Sequence, residues 1–457
     1  MKFPRNMGTQ EKMDWIFDKA TCTNFVTYAL VHGEISQEDL CKALECLKNR
    51  HPMLNVSIAG LGWWGARFEC NQSSGIPLRI IASEDENDLI PVIETECMER
   101  FPEKGPFARC VLFRHSQSRS TLMLTLDHAI ADGMSGIFAM RDLMLALGCS
   151  DKAGPRLMPL DPAKPVEGYF PKEMLGIRGW LKHCVFLART LRNDLTAKNV
   201  VPLTPDKYVP YDDCRMCLIT REVSPHNLEK MHRFAKINGI TLNSLLLAAM
   251  VIATALHHGI TESSTFTAGY DVNMRKRVTP AIGDHIGMFL SAVMSAHMAH
   301  SGSDLIALAK DIQRAKESAI KSNELFIGYP KFIQILNALL FIFGTGPLGV
   351  KVYTGIYKSF PLNAAISNLG NLGIETQYGN YSIEKIGFSV SSAVWGLINL
   401  LASTLNGRLI LNFTCLEPLF SREHLCSFAD KIIEILEDKV YRCAAVSQDS
   451  SIFPGVS

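Results

Sequence analysis

Leu126-Asp127-His128-Ala129-Ile130-Ala131-Asp132-Gly133-Met134-Ser135 is the stretch on which the reading of this chain turns. Residues 121–126 before it read as a strand, and residues 135–147 after it place apolar side chains at helical spacing until Gly148. A histidine at a strand end, followed four residues later by Asp-Gly, has a physical reading. The strand end fixes the backbone of His128, while Gly133 admits backbone angles closed to other residues and lets Asp132 turn in behind the imidazole. Imidazole has an unperturbed pKa near about 6.5, so it takes a proton from a hydroxyl or amine as that group attacks a carbonyl. Asp132 then acts as an ion-pair anchor and not as a second base. A solvated loop histidine would show the same spacing, so the rest of the chain decides.

Upstream, Ser36 opens a helix with Glu38 and Asp39 in its first turn and Leu40, Ala43, Leu44 and Leu47 at helical spacing, stopping at Pro52. Strand-like runs follow at 53–58 and 66–70, then a helix over 88–100 and a strand pair at 108–113 and 121–126. Downstream, Pro155, Pro159, Pro162, Pro165 and Pro171 mark a connector, followed by a basic helix around 180–195 and a boundary near residue 205. The second half reads as strands at 216–223, 265–272, 382–390 and 408–414, with helices at 225–238, 242–258, 304–323 and 422–437. Strands and helices intermix in both halves without strict alternation. The class is therefore α/β, with two mixed layers around separate cores: 1–205, which carries the motif and ends in the Pro-rich connector, and 206–457.

The motif stretch resembles the His-His-x-x-x-Asp-Gly signature of the chloramphenicol-acetyltransferase-like superfamily, which includes condensation domains, polyketide-associated acyltransferases, plant acyltransferases and wax ester synthases. Residues 40–54, closing on Arg50-His51-Pro52-Met53-Leu54, are similar to that family's first helix and the turn after it. Asp271-Val272-Asn273-Met274-Arg275-Lys276-Arg277 and Ile286-Gly287-Met288-Phe289-Leu290 resemble its mid-chain arginine segment and Gly-Met-Phe strand. Three ordered matches over about 250 residues are far harder to obtain by chance than one.

This resemblance implies two chloramphenicol-acetyltransferase-like α/β domains arranged in a V, with a tunnel at their interface and His128 at its middle as the catalytic base. It also implies that Arg275, with Arg277 as the alternate, faces Asp132 and locks the loop. On the residues alone, Arg275 reads equally well as a solvated charge in an Arg-Lys-Arg cluster. Asp127 stands where the family usually has its first histidine. A carboxylate there would raise the His128 pKa if it pointed the same way, although strand neighbours usually point to opposite faces. Ser367-Asn368-Leu369-Gly370 resembles a segment of the polyketide-associated branch in which Ser367 and Asn368 would help to hold an oxyanion or contact substrate; by itself it reads as a turn. The plant branch's Asp-Phe-Gly-Trp-Gly segment has no match, and Val394-Trp395-Gly396 reads as core.

Composition narrows the classes. With 457 residues, 47% hydrophobic and 20% charged, at a net charge of +1, the chain has material for a sizeable core and no sustained basic field, which argues against nucleic-acid binding. The 13 cysteines, with no secretory signal ahead of them, read as reduced thiols in a cytoplasmic protein. Cys214-Arg215-Met216-Cys217 has no second pair at finger-like spacing and reads as a strand, so no metal is expected. No apolar run reaches the roughly 20 residues of a bilayer span. Residues 332–343 read as a core helix, or as an amphipathic lid that makes peripheral membrane contact. His257-His258-Gly259 lacks the following Asp-Gly and reads as a helix cap. No phosphate loop, His-Glu-x-x-His or Gly-x-Ser-x-Gly element occurs to support nucleotide hydrolysis, zinc proteolysis or serine hydrolysis.

The expectation is acyl transfer from a thioester donor, either acyl-CoA or the phosphopantetheine of an acyl carrier protein, to an alcohol or amine, with hydroxyl favoured and no further cofactor. Natural-product or lipid biosynthesis is the setting that fits. Amide-forming condensation, a non-catalytic carrier-docking scaffold and an interfacial lipid-binding protein are the alternatives.

Overall fold

The structure is a computed structural model and describes residues 3–60, 65–71, 75–149, 157–174, 176–196, 199–201, 205–207, 209, 211–326, 348, 362–391 and 398–441. The first half runs β1 (Arg5–Asn6), α1 (Thr9–Ala20), β2 (Phe25–His32), α2 (Gln37–Arg50), β3 (Val56–Ala59), β4 (Arg67–Cys70), β5 (Leu78–Ala82), α3 (Leu89–Met98), β6 (Ala108–Ser116), β7 (Arg119–Leu126), α4 (Gly133–Gly148) and α5 (Gly176–Thr196). The second runs β8 (Arg215–Val223), α6 (Pro225–Asn238), α7 (Leu242–His257), β9 (Ser264–Asn273), β10 (Leu290–Ala299), α8 (Leu305–Lys321), β11 (Ala364–Asn371), β12 (Gln377–Tyr378), β13 (Tyr381–Val390), β14 (Asn399–Leu405), β15 (Arg408–Glu417) and α9 (Arg422–Leu436).

Local chemistry sets the helix ends. Ser36, Ser224, Thr241, Asp304 and Ser421 each accept a backbone N–H from the third residue beyond, which satisfies one orphan donor of the first turn. Pro225 begins α6, and Gly239, at φ 67°, ends it in the left-handed conformation that a side chain disfavours. The run at 53–58 divides, because Pro52 presets a 3-10 turn over Pro52–Asn55 and only Val56–Ala59 pairs.

Two six-stranded sheets carry the fold, in the orders β12-β13-β2-β7-β6-β5 and β10-β9-β11-β14-β15-β8. β5 runs parallel to β6, and β11 is parallel to both β9 and β14; the other pairings in these sheets are antiparallel. The α/β class is therefore observed. The boundary at 205 is not a clean cut. Every residue of β2 except His32 is buried, and a strand buried on both faces needs partners on both edges. β7 supplies one, and β13, from the second half, supplies the other.

α2 and α4 pack Leu40, Leu44 and Leu47 against Ile137, Met140 and Met144 in one core with the first sheet. α7 is buried almost all round, between the second sheet and α8 and α9, which explains the apolar run Leu245–Ala253 within it. Among the described residues no single helix is long and apolar enough to cross a membrane. The sheets are tied where β2 and β13 meet β14 and β15: Asn412 Nδ2 donates to Tyr28 Oη at 2.8 Å and to the Phe388 carbonyl at 2.7 Å, and Ser403 Oγ donates to the Ile386 carbonyl at 2.9 Å. Cys217 and Met216 of β8 sit in different cores on its two faces, as the strand reading requires. The connector helix α5 buries Gly179 and His183 and exposes Ile177, Trp180, Leu181 and Val185. Residues 332–343 and Val394-Trp395-Gly396 lie outside the described residues.

Candidate active site

β7 ends at Leu126 and the chain turns at once. Asp127 Oδ1 accepts the Ala129 N–H at 2.7 Å, and the Asp127 carbonyl accepts the Ile130 N–H at 3.1 Å. Ala129, Ile130 and Ala131 are 0% exposed in the first core, so the three unspecified positions of the motif are apolar anchors that leave His128 facing a cavity. His128 Nδ1 lies 3.1 Å from the Ala131 carbonyl, which can only accept; Nδ1 therefore carries the proton and Nε2 keeps the lone pair. Phe25 packs against the ring, centroids 4.8 Å apart. Burial pushes His128 down to about 4, against the opposing pull of the Asp132 charge and the Ala131 bond, so the ring is neutral at pH 7.

Asp132 has two tasks. It is the N-cap of α4, its Oδ1 accepting the Ser135 N–H at 2.8 Å, and it meets Arg275, with Nη1 at 2.7 Å from Oδ2 and Nη2 at 3.0 Å from Oδ1. The Phe289 N–H donates to Oδ2 at 3.0 Å. Ser135 Oγ completes the cluster, 2.8 Å from Asp132 Oδ1 and accepting from Arg275 Nη2 at 2.8 Å and from the Gly287 N–H at 3.1 Å. Burial alone would raise the Asp132 carboxyl, but the Arg275 charge and these hydrogen bonds hold it below the usual carboxylate range. Arg277, the alternate partner, is exposed.

Two details of the sequence reading change. Gly133 is not among the positive-φ glycines, so its backbone freedom is not used; what it supplies is space, since a Cβ there would stand 3.2 Å from Leu369 Cδ2. Ser367 and Asn368 lie inside β11 and not in a turn, because Ser367 and Asn368 pair in register with Leu401 and Ala402 of β14. Strand alternation then separates them. Ser367 lines the cavity and hydrogen-bonds Asp271, whereas Asn368 is engaged elsewhere, donating to Asn243 Oδ1 at 2.5 Å and accepting from the Gly370 N–H at 2.7 Å. Asp127 spends its carboxyl on the turn, and burial followed by the nearby Asp18 pushes it up, so the pulls that oppose burial at His128 come from Asp132 and Ala131.

Sequence reasoning missed Ser135, which an Asp-x-x-Ser capping pattern at 132–135 would have flagged. It also missed Asp14 of α1 and Asp271 of β9, which line the cavity together with His128. Nothing local marks these two, because the fold alone brings α1, β9 and the motif turn to one place. The remaining wall is mostly apolar and draws on both halves of the chain, Phe25 and Phe388 from one sheet, Ile366 and Leu401 from the other.

A family model described as the condensation domain matches residues 14–337. The chain is 21% identical over 300 residues to vanchrobactin synthetase VabF of Vibrio anguillarum, a match covering 60% of this chain and 10% of that protein, so the chain spans about a tenth of the length of the curated relative it matches. Polyketide synthase associated protein 5 from Mycobacterium tuberculosis superposes with a TM-score of 0.67 at 15% identity, covering 94% of this chain and 97% of that one. The TRI3 trichothecene 15-O-acetyltransferase from Fusarium sporotrichioides gives 0.69 at 12% identity, covering 94% of each chain. At these identities the structural likeness is one of fold. The family match spans more than half of the chain and begins ahead of the His128 turn and ends beyond Arg275, and on that ground the protein belongs to the condensation-domain family.

Proposed function

We propose that the protein transfers an acyl group from a thioester, either acyl-CoA or the phosphopantetheine arm of a carrier protein, to the hydroxyl of an acceptor. His128 Nε2 takes the hydroxyl proton as the oxygen attacks the thioester carbonyl. The tetrahedral intermediate then expels the thiolate, the C–S bond breaks, and the proton passes from His128 to sulfur. The observation that carries this reading is the tautomer: Nδ1–H is committed to the Ala131 carbonyl, which leaves a neutral Nε2 lone pair at the cavity. A hydroxyl is favoured over an amine because an alcohol keeps its proton until attack and needs a base at that moment, while an amine attacks as the free base. Asp132 and Arg275 hold the turn in place, and Gly133 keeps it clear of Leu369. Ser367, on the cavity wall, serves here as a substrate contact, its hydroxyl proton being given to Asp271. Donor and acceptor would enter from opposite faces of the cleft between the two halves. Carrier-protein docking belongs to the same proposal.

The test is thiol release, read with a disulfide dye, over a panel of acyl thioesters and alcohols, with products identified by mass. His128→Ala lowers the rate by about two to four orders of magnitude. Near-normal turnover in that variant would sink the mechanism. Amide products from matched amines, with no esters, would favour condensation to an amide instead.

A further inference from the structure

We propose that Asp14 and Asp271 form a cation subsite in the His128 cavity, so that the acceptor is an amino alcohol whose amine they hold while its hydroxyl faces His128. This rests on the acyl-transfer reading for the hydroxyl, but not for the amine.

Asp14 is 4% exposed and lines the cavity, and its Oδ2 is buried without a hydrogen-bond partner among the described residues. The other buried acid of α1 is satisfied: Glu11 takes both Arg5 Nη atoms at 2.7 and 2.9 Å, and the Gly8 N–H at 2.7 Å. An unpartnered buried carboxyl oxygen is costly, and proteins seldom keep one without a use. Asp271 reaches the same cavity from β9, with Ser367 as its hydrogen-bond partner. Asp271 also adds to the charge that Asp14 senses. Burial first, then Asp127, Glu11 and Asp271, hold Asp14 well above the ordinary carboxylate range. Burial likewise moves Asp271 up to about 6.

Among the described residues no Lys or Arg lines this cavity. Arg275 and Arg5 are committed to Asp132 and Glu11, and Lys316 lies behind the wall, its ammonium 5.1 Å from the Tyr270 ring centre. Two acids with no paired cation among the described residues, inside walls of Phe25, Ile366 and Leu401, make a pocket whose field attracts a cation and repels an anion. An alkylammonium supplies the missing charge and enough N–H donors for both carboxyls, and its hydrocarbon body suits the walls. A carboxylate-bearing acceptor would bring like charge against these acids and is rejected.

Binding is measured by calorimetry on the full chain without thioester, so that the outcome does not depend on catalysis. The probes are an aliphatic alcohol, the same alcohol with a terminal primary amine, and the same with a terminal carboxylate. The amino alcohol should bind about tenfold or more tighter than the plain alcohol, the effect of gaining one partly desolvated ion pair, and the carboxylate should bind weakest. Asp14→Asn should remove the advantage of the amine and leave the plain alcohol unchanged, with folding checked by melting temperature. Asp271→Asn, which keeps a partner for Ser367, provides the same comparison if Asp14→Asn does not fold. Equal binding of alcohol and amino alcohol, or an amine preference that survives both substitutions, overturns the subsite. Amine preference without acyl transfer from any thioester would overturn the catalytic reading alone.

Discussion

Arg275 and Asp132 form a buried two-pronged ion pair between the segment after β9 and the first turn of α4, the side chains being 3% and 4% exposed. This pair, with the Phe289 and Gly287 N–H bonds beside it, sets the motif turn against the second half of the chain. Each carboxylate oxygen carries a further backbone donor, and the Arg275 guanidinium lies 4.9 Å from the Phe289 ring centre. The geometry repays desolvation only while both partners are present.

Arg275→Ala should therefore cost about 3–5 kcal/mol, because it strands a buried carboxylate, and should lower acyl transfer by displacing His128. Urea denaturation and thiol release measured on the same preparation check this. Asp132→Asn should lower the melting temperature and the rate together. An unchanged melt and an unchanged rate would remove the anchor role.

The pH profile follows from His128. Its folded pKa, about 4, lies below its unfolded value, so the neutral base is fully present at neutral pH and the rate should fall only as pH drops through about 4. The unfolded chain binds this proton more readily, so His128 also withdraws stability as pH falls from about 6.5 toward 4. His128→Gln should flatten that part of the stability curve.

Asp127 has the opposite sign. Its folded pKa is raised, to about 8, so the native state resists losing the proton and stability falls as pH rises from the unfolded value through 8. Asp127→Asn keeps an oxygen for the Ala129 N–H and has no proton to lose. The variant should melt above the parent at pH 8, with the gap closing toward acid, as thermal scans across that range would reveal.

Gly136→Ala probes how tightly α4 lies on β2. A Cβ at Gly136 would stand 2.9 Å from Phe25 Cε2 and closer still to Thr27 Oγ1. Overpacking of this kind costs about 1–3 kcal/mol, to be read from the denaturation midpoint. Because Phe25 also packs on His128, the rate should drop as well.

Much of the fold was legible because its signals are local. Ser36, Ser224, Thr241 and Ser421 announce helix starts, and the apolar periodicity of 242–257 announces a buried helix. α1, β2, β5, β10, β11 and β14 went unread: β10 alternates too weakly, and β2 and β14 are buried on both faces, so a short apolar run there carries no period to recognise. At the site, His128, Asp132 and Arg275 were reachable from motif and resemblance. The tautomer of His128 depends on the Ala131 carbonyl, and the convergence of Asp14 and Asp271 depends on tertiary folding; neither is written in spacing. The exposed Trp180 and Leu181 of α5 show the same limit, since composition marked that helix only as basic.

The pairing of β13 with β2 sets a timetable for synthesis. As the chain leaves the ribosome, β2, β7, β6 and β5 can associate early, but the apolar edge of β2 stays open until residues 381–390 emerge. Throughout that interval the nascent chain displays an unpaired edge of the kind that templates aggregation, and closure of so distant a contact is slow. The cavity, which needs Phe388 and Val390 from that strand, therefore comes into existence only late in translation, and a fragment ending at the connector would have no binding site to test.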